Sequence, residues 1–493
     1  MEFGLLQVFE LKNLLMMWAG ILIGLFTGAT PGLTISLGMI VVLPLTFGLS
    51  PLPALSMLIG LYQAGMSGGA ISAILLNIPG TPAAAATALD GHALACRGQP
   101  ESAILTACTS SFLGGLIGLF FLVLVAPLLA QVALKFGPVE QFSLILVGMT
   151  LIAGLSQGAM LKGSVSAVLG FMLATIGMDP MVATPRLTFG SMELMRGVSW
   201  LPIMIGGFAI PEVLKGMKGT ASKAARRIRG LQIFRPIGLI NLRRIYRSIL
   251  LGGLVGTGVG FLPGANAPVA VFLAYEIARR RSKNPQEFGK GSAEGIAAPE
   301  AANNAVAGGA MIPLLTLGIP GDTVTAILLS AFTIQGFSPG PLFFFQQTDL
   351  IYAIFLIILV VSVLNFFTIC TLSSLLAWVV HIPKGIIMPI IAVFCVVGTL
   401  LIRNSFMDVY LMVGAGLMAY LMARFGFPFI PLILAMILGP QLETNFRLSL
   451  ILSGGNPLVF LTSPVSAAIL VFGFLLLFRT IRSGVGTKVG LKH

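Results

Sequence analysis

The residues from Pro299 to Phe332, PEAANNAVAGGAMIPLLTLGIPGDTVTAILLSAF, constrain this chain more than any others. They are apolar enough to lie in a bilayer, yet they carry Glu300, Asn303, Asn304, Thr316 and Asp322. A Gly-Ile-Pro-Gly break, Gly318 to Gly321, interrupts them. Hydrocarbon offers no water to a freed backbone group, so such a break survives only where protein or a cavity covers it. Half-helices that meet at a break also aim their dipole ends at a buried ligand.

The same design occurs earlier, in GGAISAILLNIPGTPAAAATALDG from Gly68 to Gly91, with Asn77-Ile78-Pro79-Gly80-Thr81 at its tip. Gly68-Gly69-Ala70 matches Gly308-Gly309-Ala310, and Ile78-Pro79-Gly80 matches Ile319-Pro320-Gly321. Upstream of each lies a further matching break, Gly28-Ala29-Thr30-Pro31-Gly32 against Gly260-Phe261-Leu262-Pro263-Gly264. Paired Gly/Pro interruptions at corresponding places in two halves point to a transporter site.

Composition fixes the setting. Of 493 residues, 57% are hydrophobic and 9% charged, and the mean hydropathy is +1.01. Soluble domains carry roughly a quarter charged residues. The apolar runs are too long for barrel strands, which alternate with period two. The expected fold is an all-α polytopic membrane protein of about 11–13 spans or half-spans, each span taking ~20 residues. It divides into a first repeat over 13–214 with a core hairpin near Pro79, a basic linker over 215–247, and a second repeat over 248–480 with a core hairpin near Pro320. The segments after Asp349 carry little intramembrane charge and read as scaffold.

The net charge of +13 does not indicate nucleic acid, because its placement follows the membrane. Ten basic residues lie between Lys215 and Arg247, and Arg479, Arg482, Lys488 and Lys492 close the chain. Basic segments beside spans stay in the cytoplasm, and anionic lipid is a sufficient partner for them. Linker and C-terminus are therefore expected on the cytoplasmic side. The four cysteines have no paired spacing that would suggest a disulfide framework or a metal site. Gly65-Met66-Ser67-Gly68-Gly69 fits G-x-S-x-G, but that elbow needs a strand-to-helix turn in an α/β sheet, and these flanks are apolar. No enzyme is expected, and no cofactor beyond a coupling ion.

The two tips carry few fixed cations. They offer backbone N–H groups at half-helix starts, at Thr81 after Pro79-Gly80 and at Asp322-Thr323 after Pro320-Gly321. Helix N-termini bind carboxylates through such donors. Asn77, Thr81, Asn303 and Asn304 add neutral donors, so the expected substrate site is Asn77, Pro79, Gly80, Thr81, Asn303, Asn304, Pro320, Gly321 and Thr323. Freed carbonyls with Asp322, Asn304 and Thr316 are the expected oxygen ligands of a small cation such as Na⁺. Asp322 also reads as an N-cap, Asn303 and Asn304 as interhelical glue, and Arg186 as a loop anchor.

At these motifs the sequence resembles the large membrane subunit of bacterial tripartite tricarboxylate transporters, the TctA family. The resemblance is carried by Gly68 to Gln99, by MDPMVATPRLTFG (Met178 to Gly190), by FGKGSAEGIAAPEAANNAVAGGAMIPLLTLGIPGD (Phe288 to Asp322) and by QGFSPGPLFF (Gln335 to Phe344). It covers nearly the whole chain. Ser67 departs from it, standing where the family carries a tyrosine before the paired glycines. The resemblance implies an inner-membrane permease working with a small membrane subunit and a periplasmic solute-binding protein. It further implies uptake of di- or tricarboxylates, citrate-like, driven by an ion gradient, usually sodium. A carboxylate:cation symporter working by alternating access is the leading expectation. A channel or scaffold subunit without coupled transport is the alternative.

The flanks of the Pro31 and Pro263 breaks give an orientation test. Ser248 to Leu262 and Ala267 to Ala278 are arms of about 12–15 residues, ~18–22 Å of helix, short of the ~30 Å hydrocarbon core. Arg243, Arg244 and Arg247 precede them and Arg279, Arg280, Arg281 and Lys283 follow, whereas the Pro31 arms have no such basic excess. The Pro263 hairpin is thus expected to enter from the cytoplasm and its counterpart from the opposite face, as inverted-topology repeats. Single cysteines placed at Ser50 and Ser282 should react unequally with an impermeant maleimide added outside. Equal reactivity would contradict the inverted arrangement.

Overall fold

The computed structural model describes residues 5–155, 160–218, 242–264, 267–379, 384–403 and 405–486. Within them the chain is almost entirely helical, with one two-residue antiparallel β-pair, Gly177–Met178 against Pro185–Arg186. Five helices are long and apolar enough to cross a membrane. They are α1 (Leu11–Ala29), α3 (Pro51–Leu76), α5 (Pro100–Ala133), α15 (Thr348–Val379) and α17 (Phe406–Arg424). Most of the basic linker, residues 219–241, and the last basic residues, Lys488 and Lys492, lie outside the described residues.

The chain forms two compact units, and each takes one stretch from either half. The first holds residues 1–130 and 212–398, the second 131–211 and 399–493. The first unit contains both broken hairpins. In the first half α1 leads through the Pro31 break to α2 (Ile35–Val42), then α3 runs to the Pro79 break and α4 (Ala84–Cys96) leaves it. In the second half α10 (Leu242–Phe261), α11 (Ala267–Arg281), α12 (Ala293–Leu317) and α13 (Thr323–Ile334) repeat this order around Pro263 and Pro320. Even the terminations match. α3 ends on Asn77 with φ +55° and α12 on Gly318 with φ +69°, each in the left-handed region that closes a helix.

Asp90 and His92 lie on α4, because the alanine-rich run before them favours helix. One arm differs from the sequence reading. The α10 arm begins at Leu242 and spans 20 residues, ~30 Å, because the arginines ride on its first turns rather than in a loop. Only the 15-residue α11 remains short of the hydrocarbon thickness.

The packing of the first unit rests on three stripes of glycine. A Cβ on Gly20, Gly24 or Gly28 of α1 would lie 2.0, 2.4 and 2.3 Å from the carbonyl oxygens of Met57, Leu61 and Gly65 on α3. A Cβ on Gly252, Gly256 or Gly260 of α10 would lie 2.2, 2.2 and 2.4 Å from those of Ala298, Ala302 and Val306 on α12. Gly114 and Gly118 of α5 do the same against Ala301 and Ala305, at 2.2 and 2.8 Å. Small residues every fourth position let helix backbones touch, which in lipid replaces the missing hydrophobic drive. The sequence reading did not use these stripes, although their four-residue spacing was there to be seen.

Gly256→Ala should therefore overpack the α10–α12 contact, at about 1–3 kcal/mol, and lower the detergent-state melting temperature. Gly258 of the same helix faces open space, and Gly258→Ala should leave it unchanged or raised. Equal behaviour of the two variants would contradict the packing.

Candidate functional site

The middle of α3, residues 62–69, is where the candidate residues meet. α3 is apolar at both ends but carries Tyr62, Gln63 and Ser67 in its centre, all buried. The Asn303 Nδ2 of α12 donates to the Met66 carbonyl at 2.8 Å, and the Ser67 hydroxyl donates to Asn304 Oδ1 at 3.0 Å. Asn304 Nδ2 in turn donates to the Glu300 carbonyl at 3.2 Å. From α15, Asn365 Nδ2 donates to Ser67 Oγ at 3.2 Å and Ser362 Oγ to Gln63 Oε1 at 3.2 Å. Thus α15, read from sequence as scaffold, completes the polar cluster. Asn303 Oδ1 and Asn365 Oδ1 are buried without a protein partner. A cleft of about 10 Å³ lies among Ser67, Ser111, Asn304 and Asn365, room for about one water.

Both hairpin tips reach α3 beside this cluster. At the second tip the Tyr62 hydroxyl donates to Asp322 Oδ2 at 3.1 Å. Asp322 Oδ1 accepts from the Thr325 amide and hydroxyl, both at 2.7 Å, while Thr325 Oγ1 accepts the Asp322 N–H at 2.9 Å. Asp322 is thereby the N-cap of α13 in a full capping box. At the first tip the Gly80 amide approaches the Gly69 carbonyl at 3.5 Å, two turns of α3 or ~10 Å beyond Tyr62. Thr81 occupies the place that Asp322 has in the second tip, but it caps nothing. No side chain caps α4, and the Thr81 hydroxyl is buried without a partner.

The two tips are therefore chemically unlike. The first presents a helix start without a side-chain cap, its Ala84 and Ala85 amides bonded to the Thr81 and Pro82 carbonyls, and an idle buried hydroxyl able to donate to an anion. The second carries a carboxylate, suited to a cation. Pro79 and Asn77 border the first tip, with Asn77 exposed as the left-handed end of α3. Pro320, Gly321 and Thr323 border the second, and a Cβ on Gly321 would sit 3.1 Å from the Gly260 carbonyl. Thr316 is buried one turn before the break, its hydroxyl donating to Ile312 O at 2.7 Å. Continuous α12 holds Asn304 and Thr316 twelve residues apart, ~18 Å, so one ion does not touch both.

Two further clusters were missed by sequence reasoning. The Glu300 carboxylate, 1% exposed, accepts from the Thr87 hydroxyl of α4 and, at 2.8 Å, from the Ser111 hydroxyl of α5. Asp90 of α4 accepts the backbone amides of Lys290, Gly291 and Ser292 and the Tyr275 hydroxyl, which ties the first half to the loop before α12. Neither pairing has a signal in the local sequence, since the partners lie some two hundred residues away.

The second unit has its own charged cluster. The helices concerned are α7 (Met160–Ala174) and α18 (Ile430–Leu452). Asp179, in the loop after α7, pairs with Arg447 at 2.8 Å and Arg186 at 3.4 Å, and Glu443 of α18 pairs with Arg186 at 2.9 Å. Arg186 is thus a loop anchor. The Arg447 hydrogen bond, helped by the Val182 and Met181 amides, holds the Asp179 carboxyl down to about 2.

The geometry is that of a polytopic helical membrane protein with two broken hairpins meeting on one buried helix. A family model described as the tripartite tricarboxylate transporter TctA family matches residues 14–434, and the chain belongs to that family. An uncharacterized 52.8 kDa protein in the TAR-I ttuC' 3' region of Agrobacterium vitis is 36% identical over 477 residues, 96% of this chain and 94% of its own. A second uncharacterized protein, in the TAR-II ttuC' 3' region of the same organism, is 36% identical over 233 residues, 47% of this chain and 96% of its own. No solved structure matches. The protein is a transporter permease and one part of a tripartite system.

Two outcomes follow. Tyr62→Phe should cost about 1 kcal/mol of stability and increase hydrogen exchange at the start of α13; unchanged exchange there would contradict the Tyr62–Asp322 bond. Because the folded Asp179 pKa lies below its unfolded value, its contribution is complete above about pH 4 and is lost as pH falls towards 2. Asp179→Asn should lower the melting temperature by the same amount at pH 6 and pH 8. A difference between those pH values would contradict it.

Proposed function

We infer that this permease is the large subunit of a binding-protein-dependent secondary transporter that imports di- or tricarboxylates across the bacterial inner membrane, coupled to sodium, by alternating access. The carrying observation is the pair of matched hairpin tips on α3, one with an uncapped helix start and an idle buried Thr81 hydroxyl, the other with Asp322. In this reading the first tip takes a substrate carboxylate through the idle Thr81 hydroxyl, with Asn77, Pro79 and Gly80 shaping its approach. Asp322 and Thr316, with carbonyls freed around Pro320, supply oxygen to the sodium ion. Asn303 and Asn304 hold the helices that carry the two tips in register.

Both tips belong to the same compact unit, so one moving body carrying the whole site is the simplest form of alternating access. A periplasmic solute-binding protein delivers the carboxylate, a small membrane subunit completes the system, and the basic linker and C-terminus face the cytoplasm.

Proteoliposomes holding the permease, its small subunit and its binding protein provide the test, with labelled di- and tricarboxylates and an imposed sodium gradient. Saturable, sodium-driven uptake is expected. Thr81→Val keeps the shape of the residue and removes the hydroxyl, and should raise the KM about 5–10-fold, the worth of one hydrogen bond. Its melting temperature should not change. Uptake of every carboxylate tested at the rate of empty vesicles would contradict the proposal.

A further inference from the structure

Resting on the transport reading, we propose that Glu300 binds and releases one proton per cycle, as a coupling site separate from the sodium ligands at the second tip. An ionisable side chain deep inside a membrane protein marks an ion pathway more often than it serves packing. Glu300 lies two turns into the 25-residue α12, 1% exposed, and no cationic side chain pairs with it among the described residues. Its two oxygens are held by hydroxyls instead, Thr87 on α4 and Ser111 on α5.

This partner set suits a group that changes charge. A hydroxyl both donates and accepts. With Glu300 ionised, both hydroxyls, which lie within hydrogen-bond distance, donate to it. With Glu300 protonated, its own O–H donates to one of these hydroxyls, and that hydroxyl turns to a carbonyl one turn back on its own helix, a habit of Ser and Thr in helices. Neither form leaves an orphaned polar atom, whereas a lysine or arginine partner would fix the ionised form. The proton moves between water and a carboxylate oxygen, with no other bond made or broken.

The surroundings supply a route and no cationic partner among the described residues. Ser111 lines the water-sized cleft that also touches Ser67, Asn304 and Asn365, so the carboxylate is one hydroxyl away from space for a water. The facing groups are few. From α5 comes Cys108, with Cys370 of α15 behind it at 4.0 Å. α4 brings Asp90 one turn beyond Thr87, its carboxylate held by Tyr275 and backbone amides. α3 brings neutral Gln63 and Ser67, and α10 brings the glycines of its stripe. Asn304 links the site to the tips, since its amide donates to the Glu300 carbonyl while its oxygen accepts from Ser67.

The test is carboxylate uptake into proteoliposomes of the complete three-part system, with sodium equal on both sides and the lumen made alkaline. One proton per cycle raises the accumulation ratio about tenfold per pH unit, and wild type should show this. Glu300→Gln mimics the protonated form. It should lose the response to the pH gradient and keep substrate counterflow and sodium-driven uptake. A Glu300→Gln variant that still accumulates substrate on a pH gradient overturns the proposal, as does a sodium-driven wild type indifferent to pH. No uptake by wild type under either gradient overturns this inference together with the transport reading. Should Glu300→Gln fail to fold, Ser111→Ala retains the carboxyl and removes one of its hydroxyls. The pH midpoint of uptake should then move, and an unmoved midpoint overturns the proposal.

Discussion

The first unit depends on backbone-to-backbone approach along α3 and α12. Lipid gives helices no hydrophobic reason to associate, so close contact must come from packing and polar bonds. The glycine stripes of α1, α10 and α5 provide it, bringing helices near enough that a single methyl group would collide with a facing carbonyl. Helices packed this closely make a rigid frame, and only a rigid frame can hold two interrupted hairpins at fixed places. The same small residues keep the centre of α3 and α12 free of bulk, which leaves the room occupied by Asn303, Asn304, Glu300 and Ser67.

The second constraint is that every interrupted backbone in such a frame needs partners. The breaks meet it in parallel ways at their entrances, where Asn77 and Gly318 close the incoming helices, and in different ways at their exits. Asp322 caps α13 and is itself held by Tyr62, while α4 begins without a side-chain cap and Thr81 leaves a hydroxyl idle. Two halves of one design have thus become chemically complementary, one tip suited to negative charge and the other to positive. Transport of an anion with a cation has use for that difference.

Much of this was legible in the sequence. Pro and Gly pairs inside apolar runs, and asparagines and carboxylates beside them, are local signals that survive without knowledge of partners. They placed both hairpins, the polar face of α12 and the capping role of Asp322. What escaped was whatever depends on pairing across the chain. Thr87, Ser111 and Glu300 come from separate helices, and nothing near any of them announces the others. Asn365 belongs to a segment that read as scaffold, and its bond to Ser67 comes from some three hundred residues away. The length of α10 was misjudged because arginines that seemed to flank a helix were carried on it.

The central claim is that a carboxylate binds at the first tip. Pro82 is the exposed neighbour of Thr81, and a cysteine there, in a variant lacking the four native cysteines, can be labelled with maleimide in the presence and absence of substrate. The account predicts that a transported carboxylate slows labelling in a saturable, sodium-dependent way, with a midpoint near the KM for uptake. Labelling that proceeds at the same rate with and without saturating substrate, in a variant that still transports it, would contradict the account.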